Sequence, residues 1–249
     1  MNIFNAKILL NEPVAPKIFK IIVDAPDLAK NSRPGQFLQV KIADEFTLRR
    51  PLGIAGNLNG KITIFYRVVG RGTEFLSKKR VGDYLNILGA LGTGFSTPKS
   101  KILLVGGGMG LAPLLCAAQN FNSDVLIAGR NADEVIFWQN EFKNHVENIF
   151  IATDDGSYGK KGFATDLLPE ILSDYSAIYT CGPEIMMKNT AKIALNNKIP
   201  CEISLEKRMA CGLGACLSCS IDTTLGRKKV CKDGAVFDAK IVFGGDFDE

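Results

Sequence analysis

Short apolar runs separated by polar turns fill the first part of the chain. This pattern predicts strands at residues 7–10, 18–23, 36–42, 52–55, 61–69 and 84–88. Asparagine and glycine stand between the runs, as at Asn59, Gly60 and Gly82, and these residue types favour tight turns. Several short strands at such spacing predict a small antiparallel barrel or sandwich.

The pattern changes at residue 101, beyond a linker at residues 97–100 that reads Thr-Pro-Lys-Ser. Apolar strands predicted at residues 102–105, 125–128, 149–152, 177–180 and 202–205 are interleaved with helices predicted at residues 111–121, 133–143, 164–172 and 183–196. Apolar strands that alternate with helices indicate a parallel sheet with helices on both faces. The predicted fold class is β + α/β, with domains at residues 1–98 and 99–205 and a smaller unit at residues 206–249.

Composition and charge narrow the class of protein. Of the 249 residues, 46% are hydrophobic and 22% are charged, which is typical of a soluble globular protein. No apolar run reaches the roughly 20 residues of a membrane helix, and the N-terminus has no signal-peptide pattern, so we expect a cytoplasmic protein. The net charge of +4 is too small to indicate nucleic acid or a membrane surface as a partner. The single histidine, His145, argues against a multi-histidine metal site and against a histidine base.

Four of the seven cysteines crowd into the last part of the chain. Cys211, Cys216, Cys219 and Cys231 follow C-x4-C-x2-C-x11-C, which contains the plant-type spacing of a [2Fe–2S] cluster. Glycine, alanine and serine fill the gaps, so backbone N–H groups can approach the sulfurs. A structural zinc site with four cysteine ligands is the alternative, although zinc sites usually pair two C-x2-C units and this chain has one.

A glycine-rich turn follows the first predicted strand of the α/β domain and opens a helix. Its candidate binding residues are Gly106, Gly108 and Gly110, and Pro113 stands early in the helix. Glycines let the backbone approach a pyrophosphate, while the helix N-terminus adds N–H donors and a positive dipole. The spacing differs from the Rossmann G-x-G-x-x-G, and no acidic residue ends the second strand as a ribose ligand. A tight turn without a ligand is therefore the alternative.

A second turn has the same position relative to the sheet. Cys181, Gly182 and Pro183 follow the strand predicted at residues 177–180 and begin a helix. Ligands of open α/β sheets bind at the carboxyl ends of the strands, so both turns are candidates for one nucleotide site. Cys181 is the candidate catalytic residue of that crevice, with a small buried thiol as the alternative.

The β domain carries a third set of candidates, for a cofactor with a diphosphate and a flat ring. These residues are Arg50, Pro51, Leu52, Gly53, Phe65, Tyr66, Arg67, Gly72 and Thr73. Arginine neutralises a diphosphate, an aromatic ring such as Tyr66 stacks on a flat ring, and Gly72 and Thr73 offer N–H and hydroxyl donors. Without other context, the same residues also fit a charged rim of the barrel.

Together these motifs resemble the ferredoxin–NADP reductase superfamily. There, a β-barrel with R-x-[YL]-S and G-x-G-T binds FAD, and an α/β domain with G-G-G-x-G-x-A-P and C-G-P binds a nicotinamide nucleotide. Within the superfamily, the chain is similar to the electron-transfer subunits of NAD-dependent (B-type) dihydroorotate dehydrogenase. The likeness covers essentially the whole chain and includes Pro-Gly-Gln-Phe at 34–37, Gly-Ala-Leu-Gly-Thr-Gly-Phe at 89–95, Asp-Asp-Gly-Ser-Tyr-Gly at 154–159 and Ser-Leu-Glu-Lys-Arg-Met-Ala-Cys-Gly at 204–212.

The resemblance implies an oxidoreductase that moves electrons between NAD(H), FAD and a [2Fe–2S] cluster. FAD would bind the barrel, NAD(H) the α/β domain with its nicotinamide near Cys181, and the four cysteines the cluster. The implied partner is the FMN-containing catalytic subunit that oxidises dihydroorotate to orotate in pyrimidine biosynthesis. In this family the two chains form a heterotetramer of two copies of each.

Two positions depart from the family pattern. Gly53 stands where the family usually has a serine, whose hydroxyl is expected near the flavin N5, and Ala90 replaces a usual proline. The chain also fits a reductase subunit that serves another partner of the ferredoxin or sulfide type, a free-standing diaphorase, or a zinc-stabilised binding module without activity. The choice between NADH and NADPH is open, because Arg130 ends the second strand and could approach a 2′-phosphate.

Overall fold

Six antiparallel strands form the first half of the structure, a computed structural model in which residues 2–246 are described. They are β1 (Asn2–Ala15), β2 (Ile18–Asp24), β3 (Phe37–Lys41), β4 (Arg50–Gly53), β5 (Lys61–Arg67) and β6 (Tyr84–Leu91). Their order across the sheet is β4-β3-β6-β1-β2-β5. Thr63 of β5 exchanges backbone hydrogen bonds with Ala55 and Gly56, just beyond β4, so the two edges meet and the sheet curls into the predicted barrel.

Alternating side chains explain why these strands form a barrel. In β2, Ile21 and Val23 are fully buried, whereas Asp24 is exposed. Two short helices that the sequence pattern did not indicate, α1 (Pro26–Asn31) and α2 (Arg71–Ser77), add Leu28 and Leu76 to the same core. Because each of these helices has fewer than eight residues, neither gives a clear helical period in the sequence.

The second half contains the α/β domain and the cysteine segment. Its strands are β7 (Ile102–Gly107), β8 (Ser123–Gly129), β9 (Ile149–Thr153), β10 (Lys160–Lys161), β11 (Ile178–Cys181), β12 (Cys201–Ser204), β13 (Ser220–Ile221), β14 (Lys228–Lys229) and β15 (Val236–Asp238). Its α-helices are α3 (Leu111–Asn120), α4 (Ala132–Phe142), α5 (Ala164–Ile171), α6 (Glu184–Asn196), α7 (Val230–Asp233) and α8 (Ala239–Phe243). Short 3₁₀ helices occupy Gly108–Gly110, Leu172–Asp174 and Gly244–Asp246.

A seven-stranded sheet with the order β10-β9-β8-β7-β11-β12-β15 organises this half. Every neighbouring pair is parallel except β12 and β15, which are antiparallel. Residues 102–107 of β7 are all buried, as expected for a central strand covered on both faces. The β + α/β fold class predicted from the sequence is thus confirmed.

The cysteine segment is not a separate layer. After the cysteine loop and the β13–β14 hairpin, the chain returns and adds β15 to the edge of the nucleotide sheet beside β12. Thr93, which follows β6 in the barrel domain, donates its hydroxyl to the carbonyl of Val236 at 2.9 Å. The segment is therefore fixed to both domains, and the domain boundaries at residues 98 and 205 stay a prediction.

Aromatic contacts hold the two domains together. Phe65 of the barrel packs on Trp138 of α4, with 5.1 Å between ring centroids, and Phe95 stacks on Tyr179 of β11 at 4.7 Å. Within residues 2–246, no helix is long and apolar enough to cross a bilayer.

Candidate functional site

A cleft of about 900 Å³ lies between the barrel, the start of α3 and the segment leading to the cysteine loop. Eight of the nine residues predicted to bind a flavin line it: Arg50, Pro51, Leu52, Gly53, Phe65, Tyr66, Arg67 and Thr73. The opposite wall contains Met109, Ala112, Pro113, Cys181 and Glu206. Residues far apart in the sequence thus converge on one cavity whose size suits a large organic ligand.

The ninth candidate, Gly72, lies directly beside Arg50. A Cβ atom built on Gly72 would be 2.7 Å from Nε of Arg50, so only glycine lets the guanidinium lie against this backbone. Thr73 shapes the turn, because its hydroxyl accepts the N–H groups of Val69 at 2.9 Å and Gly70 at 3.3 Å. The arrangement places a cation against the turn at Gly72 and Thr73, which is suited to a diphosphate.

The neighbouring Arg49 has a different role. Its guanidinium donates to the carbonyls of Gln39 at 3.1 Å and Asn86 at 3.0 Å. Arg49 therefore ties β3 to β6, while Arg50 is the arginine of the pair whose guanidinium lies against the turn at Gly72.

The ring of Tyr66, which was predicted to stack on a flat ligand ring, packs against residues of the barrel. Its ring stacks on Phe19, with 5.6 Å between centroids, and its hydroxyl donates to Oδ1 of Asn11 at 2.9 Å. Burial raises the pKa of the Tyr66 hydroxyl, which stays neutral. The side chain supports the wall of the cleft from the barrel core, and its stacking role stays a prediction.

Cys181 lies at the floor of the same cleft and is fully buried. Burial raises the pKa of its thiol, while a hydrogen bond with Ser204 of the adjacent strand acts in the opposite direction. The residue is thus an uncharged thiol and not a thiolate nucleophile. Across the cleft, a Cβ atom on Gly53 would meet Pro113 only at 3.8 Å, so the missing serine side chain would fit without a clash.

A second cavity of about 480 Å³ lies at the carboxyl ends of the parallel strands. Gly107, Gly108 and Pro183 line it, together with residues that end β8 and β9. Arg67 lines both cavities, so the two are neighbours across one side chain. This is the position at which open α/β sheets bind nucleotides.

The two predicted nucleotide turns are in direct backbone contact. A Cβ atom on Gly110 would lie 2.4 Å from the carbonyl oxygen of Cys181, and one on Gly182 would lie 3.0 Å from the backbone of Gly107. Gly106 faces Leu111 and Leu114 instead, which permits close packing of α3 on the sheet. Of the three glycines singled out in the first turn, only Gly108 lines the cavity, while Gly106 and Gly110 set the approach of the surrounding backbone.

The four cysteines of the C-terminal loop are arranged as two pairs of side chains. Cys211 contacts Cys216, and Cys219 contacts Cys231. Across residues 2–246, no three ligating side chains lie where they could share one metal ion.

Backbone donors surround these sulfurs. The N–H groups of Leu213 and Cys216 both donate to Sγ of Cys211 at 3.4 Å, and that of Gly214 donates to Sγ of Cys231 at 3.1 Å. The bonds to Cys211 lower the pKa of its thiol to about 6, which favours the thiolate that binds iron. The loop also touches the flavin cleft, because Ser218 and Met209 line it.

Comparison with known proteins agrees with this geometry. The family model described as the iron–sulfur cluster binding domain of dihydroorotate dehydrogenase B matches residues 206–243. The dihydroorotate dehydrogenase B (NAD(+)) electron transfer subunit of Desulforamulus reducens is 38% identical over 251 residues, covering 94% of this chain and 96% of that protein. This chain belongs to the same family. The subunit of that name from Clostridium acetobutylicum is 41% identical over 212 residues, covering 82% of this chain and 84% of its own length.

Solved structures extend the comparison to the fold of this chain. A chain of an NADH-dependent reduced ferredoxin–NADP oxidoreductase, studied for flavin-based electron bifurcation, superposes with a TM-score of 0.82 and 27% identity over 97% of this chain and 91% of that chain. The ferredoxin–NADP reductase of Neisseria gonorrhoeae, solved with FAD and NADP, has a TM-score of 0.63 and 18% identity over 78% and 91% of the two chains. The predicted family, the reductase fold and the iron–sulfur segment of this chain are therefore confirmed.

Several cavity residues were not singled out as binding candidates from the sequence. The second cavity also contains Gly107, Ala128, Gly129, Glu134, Asp154, Thr165, Met186 and Asn189. Glu134, in the first turn of α4, is an acidic residue that lines this cavity beside the end of β8. Asn131, whose side chain accepts the backbone N–H of Glu134 as the helix cap, is the sequence signal that could have located Glu134 near the strand end.

Proposed function

We propose that this chain is the electron-transfer subunit of a dihydroorotate dehydrogenase B and moves electrons between NAD(H) and a dihydroorotate-oxidising partner. One observation carries the proposal: the flavin cleft borders the nucleotide cavity on one side and the cysteine loop on the other. Cys181 lines the cleft close to the nucleotide turns, and Ser218 of the cysteine loop lines it as well. A nicotinamide nucleotide in the second cavity, a flavin in the cleft and a cluster in the cysteine loop would therefore be neighbours, and no further electron carrier would be needed between them.

FAD fits the large cleft. Arg50 and the turn at Gly72 and Thr73 would hold its diphosphate, and Pro51, Leu52 and Gly53 would contact the ring. Phe65 and Tyr66 support the wall, while Arg67 reaches both cavities. When bound, FAD exchanges a hydride with nicotinamide and single electrons with an iron–sulfur cluster, so the protein needs mainly to position its ligands and exclude water.

NAD(H) fits the second cavity, with Gly108 and Pro183 beside the diphosphate and the nicotinamide directed past Gly182 toward Cys181. The buried, uncharged thiol of Cys181 would position the nicotinamide ring by packing, since it holds no charge for acid–base chemistry. The turns at Gly106 and Gly110 keep the two loops close enough to form one site.

A [2Fe–2S] cluster fits the cysteine loop. Cys211 with Cys216, and Cys219 with Cys231, would each bind one iron, and the N–H groups that point at the sulfurs would tune the potential. The loop carries Leu213 and Leu217 at the surface, with 43% and 64% exposure, beside the cysteines. Electrons would enter from the partner at this surface.

The partner we propose is an FMN-containing catalytic subunit that oxidises dihydroorotate to orotate, in a heterotetramer of two copies of each chain. The proposal also includes a cytoplasmic location, since all seven cysteines are free of disulfides and such thiols fit a reducing compartment. The three units proposed are the FAD domain at residues 1–98, the NAD domain at residues 99–205 and the cluster segment at residues 206–249.

Cofactor analysis of the purified protein tests the proposal. We expect one FAD, two irons and two acid-labile sulfides per chain, together with a brown-yellow colour, because the cleft and the paired sulfurs suit these groups. Metal analysis and anaerobic absorbance spectra give the measurement. Zinc without iron and sulfide would contradict the cluster. A colourless protein that binds neither FAD nor a cluster would favour the alternative of a binding module without activity.

A further inference from the structure

One wall of the second cavity lies at the end of β8, where the carboxylate of Glu134 accepts hydrogen bonds from Arg130. Gly129, which ends β8, and Arg130, which follows it, line one wall, and Glu134 of α4 lines the same cavity. The backbone N–H of Arg130 donates to Oε2 of Glu134 at 2.9 Å. The carboxylate is thereby tied back to the strand end, where Rossmann domains place the group that reads the ribose.

Glu134 also holds the side chain of Arg130. The guanidinium donates from Nε to Oε1 of Glu134 at 2.8 Å and from a second nitrogen to the same oxygen. Arg130 is 74% exposed and Glu134 only 23%, so the carboxylate is the more enclosed partner. The hydrogen bond from Arg130 lowers the pKa of Glu134, which is therefore charged at neutral pH.

The surroundings of Glu134 leave its carboxylate little freedom. The backbone N–H of Glu134 donates to Oδ1 of Asn131 at 3.3 Å. A Cβ atom built on Gly129 would lie 3.2 Å from the Cβ of Glu134. The N–H of Asp154 donates to the carbonyl of Gly129 at 3.1 Å, which joins the ends of β8 and β9. A ligand in this cavity meets a fixed carboxylate and an arginine that is already paired.

We propose that Glu134 selects NADH over NADPH because its carboxylate accepts a hydrogen bond from the ribose 2′-hydroxyl of NADH and repels the 2′-phosphate of NADPH. The inference rests on the proposed function and names the residue that sets its nucleotide preference. A hydroxyl donates a hydrogen bond to the carboxylate, whereas a phosphate monoester carries about −1.5 to −2 charge at neutral pH and is repelled. Arg130, the residue that could neutralise such a phosphate, is bound to Glu134 instead.

Binding of two redox-inactive probes to the full-length holoprotein tests this inference. Calorimetry would compare ADP-ribose with 2′-phospho-ADP-ribose in the wild type and in Glu134→Gln. We expect the wild type to bind ADP-ribose at least about tenfold more tightly, and Glu134→Gln to reduce that preference by about tenfold, since a like charge at close range is removed. The glutamine keeps an oxygen for the N–H of Arg130, so the strand end is preserved.

Two further variants assign the effect to its residues. Adding Arg130→Gln to Glu134→Gln should remove part of the gain in 2′-phosphate binding, because the freed guanidinium adds to the effect of removing the like charge. Asp133→Asn removes a negative charge from the same helical turn without lining the cavity, and it should leave the preference unchanged.

The outcomes are distinct. Equal affinity of the wild type for both probes, or an unchanged preference in Glu134→Gln with ADP-ribose affinity intact, would overturn the role of Glu134 and leave the proposed function standing. Failure of the wild type to bind either probe would overturn both.

Discussion

Replacing Cys216 with serine should remove or cripple the cluster while NADH still reduces the flavin. Serine offers a hard oxygen in place of a soft thiolate, and the pair formed with Cys211 then lacks one iron ligand. Electron transfer to the partner should fall by about two orders of magnitude or more, since loss of even outer-shell groups at metal sites costs about 10–100-fold. Iron content, anaerobic flavin reduction and coupled turnover with the partner are the three measurements.

The matched control for this variant is Cys116→Ser. Cys116 is a fully buried thiol of α3 that packs into the barrel core, and its sulfur lies 3.7 Å from Oδ1 of Asn57, so a hydroxyl retains a partner there. It should keep iron, FAD and coupling. Retained FAD and retained binding of the partner by Cys216→Ser are also required, because the loop surface is part of the proposed contact. Normal coupling in a Cys216→Ser protein that has lost its cluster would show that the cysteines are structural.

Replacing Gly110 with alanine should disrupt the nucleotide site without disturbing the flavin or the cluster. The backbone of Gly110 has ordinary helical angles, φ −61° and ψ −15°, so alanine brings no conformational strain of its own. Its Cβ would instead lie 2.4 Å from the carbonyl oxygen of Cys181 and force the two turns apart. A displacement of about 1 Å can cost about a hundredfold in rate, and we expect NADH-dependent flavin reduction to fall by that order.

Stopped-flow reduction by NADH and calorimetry with ADP-ribose measure this effect. Cys181→Ala is the informative comparison, because it changes the side chain at the same contact and leaves the backbone carbonyl in place. It should slow nicotinamide-to-flavin transfer while keeping ADP-ribose affinity, flavin and iron. Gly245→Ala adds a methyl group where a Cβ meets nothing within 4 Å and should behave as the wild type. Unchanged reduction in Gly110→Ala would mean that contact between the two turns does not set the geometry of the site.

Patterns within single elements could be predicted from the sequence. The apolar run of β7 and the glycines after it show a buried strand and a tight turn, and both are found where predicted. Predicted strand ends were less accurate in the barrel. The first strand extends over Asn2–Ala15, well beyond residues 7–10, because it pairs with β6 in its first half and with β2 in its second. Its exposed asparagines and glutamate interrupt the apolar pattern from which the strand was predicted.

Contacts between distant segments could not be predicted in this way. The pairing of β15 with β12 brings residues 236–238 to the edge of a sheet formed much earlier in the chain. The contact of Gly72 with Arg50 depends likewise on the curvature of the barrel. Glu134 could not be predicted at the nucleotide site for the same reason. It belongs to the helix after β8, and its side chain reaches back to the strand end only in the folded chain.

Reconstitution of the wild-type chain with its dihydroorotate-oxidising partner tests the central claim most directly. The two proteins would be mixed anaerobically with dihydroorotate and NAD⁺, and NADH formation would be followed by its absorbance together with the flavin and cluster bands. The electron path proposed here predicts that NADH forms only when both chains are present, and that the bands of this chain bleach before NADH accumulates. Formation of NADH by the partner alone at the same rate would contradict it, as would a complex in which the cofactors of this chain stay oxidised throughout turnover.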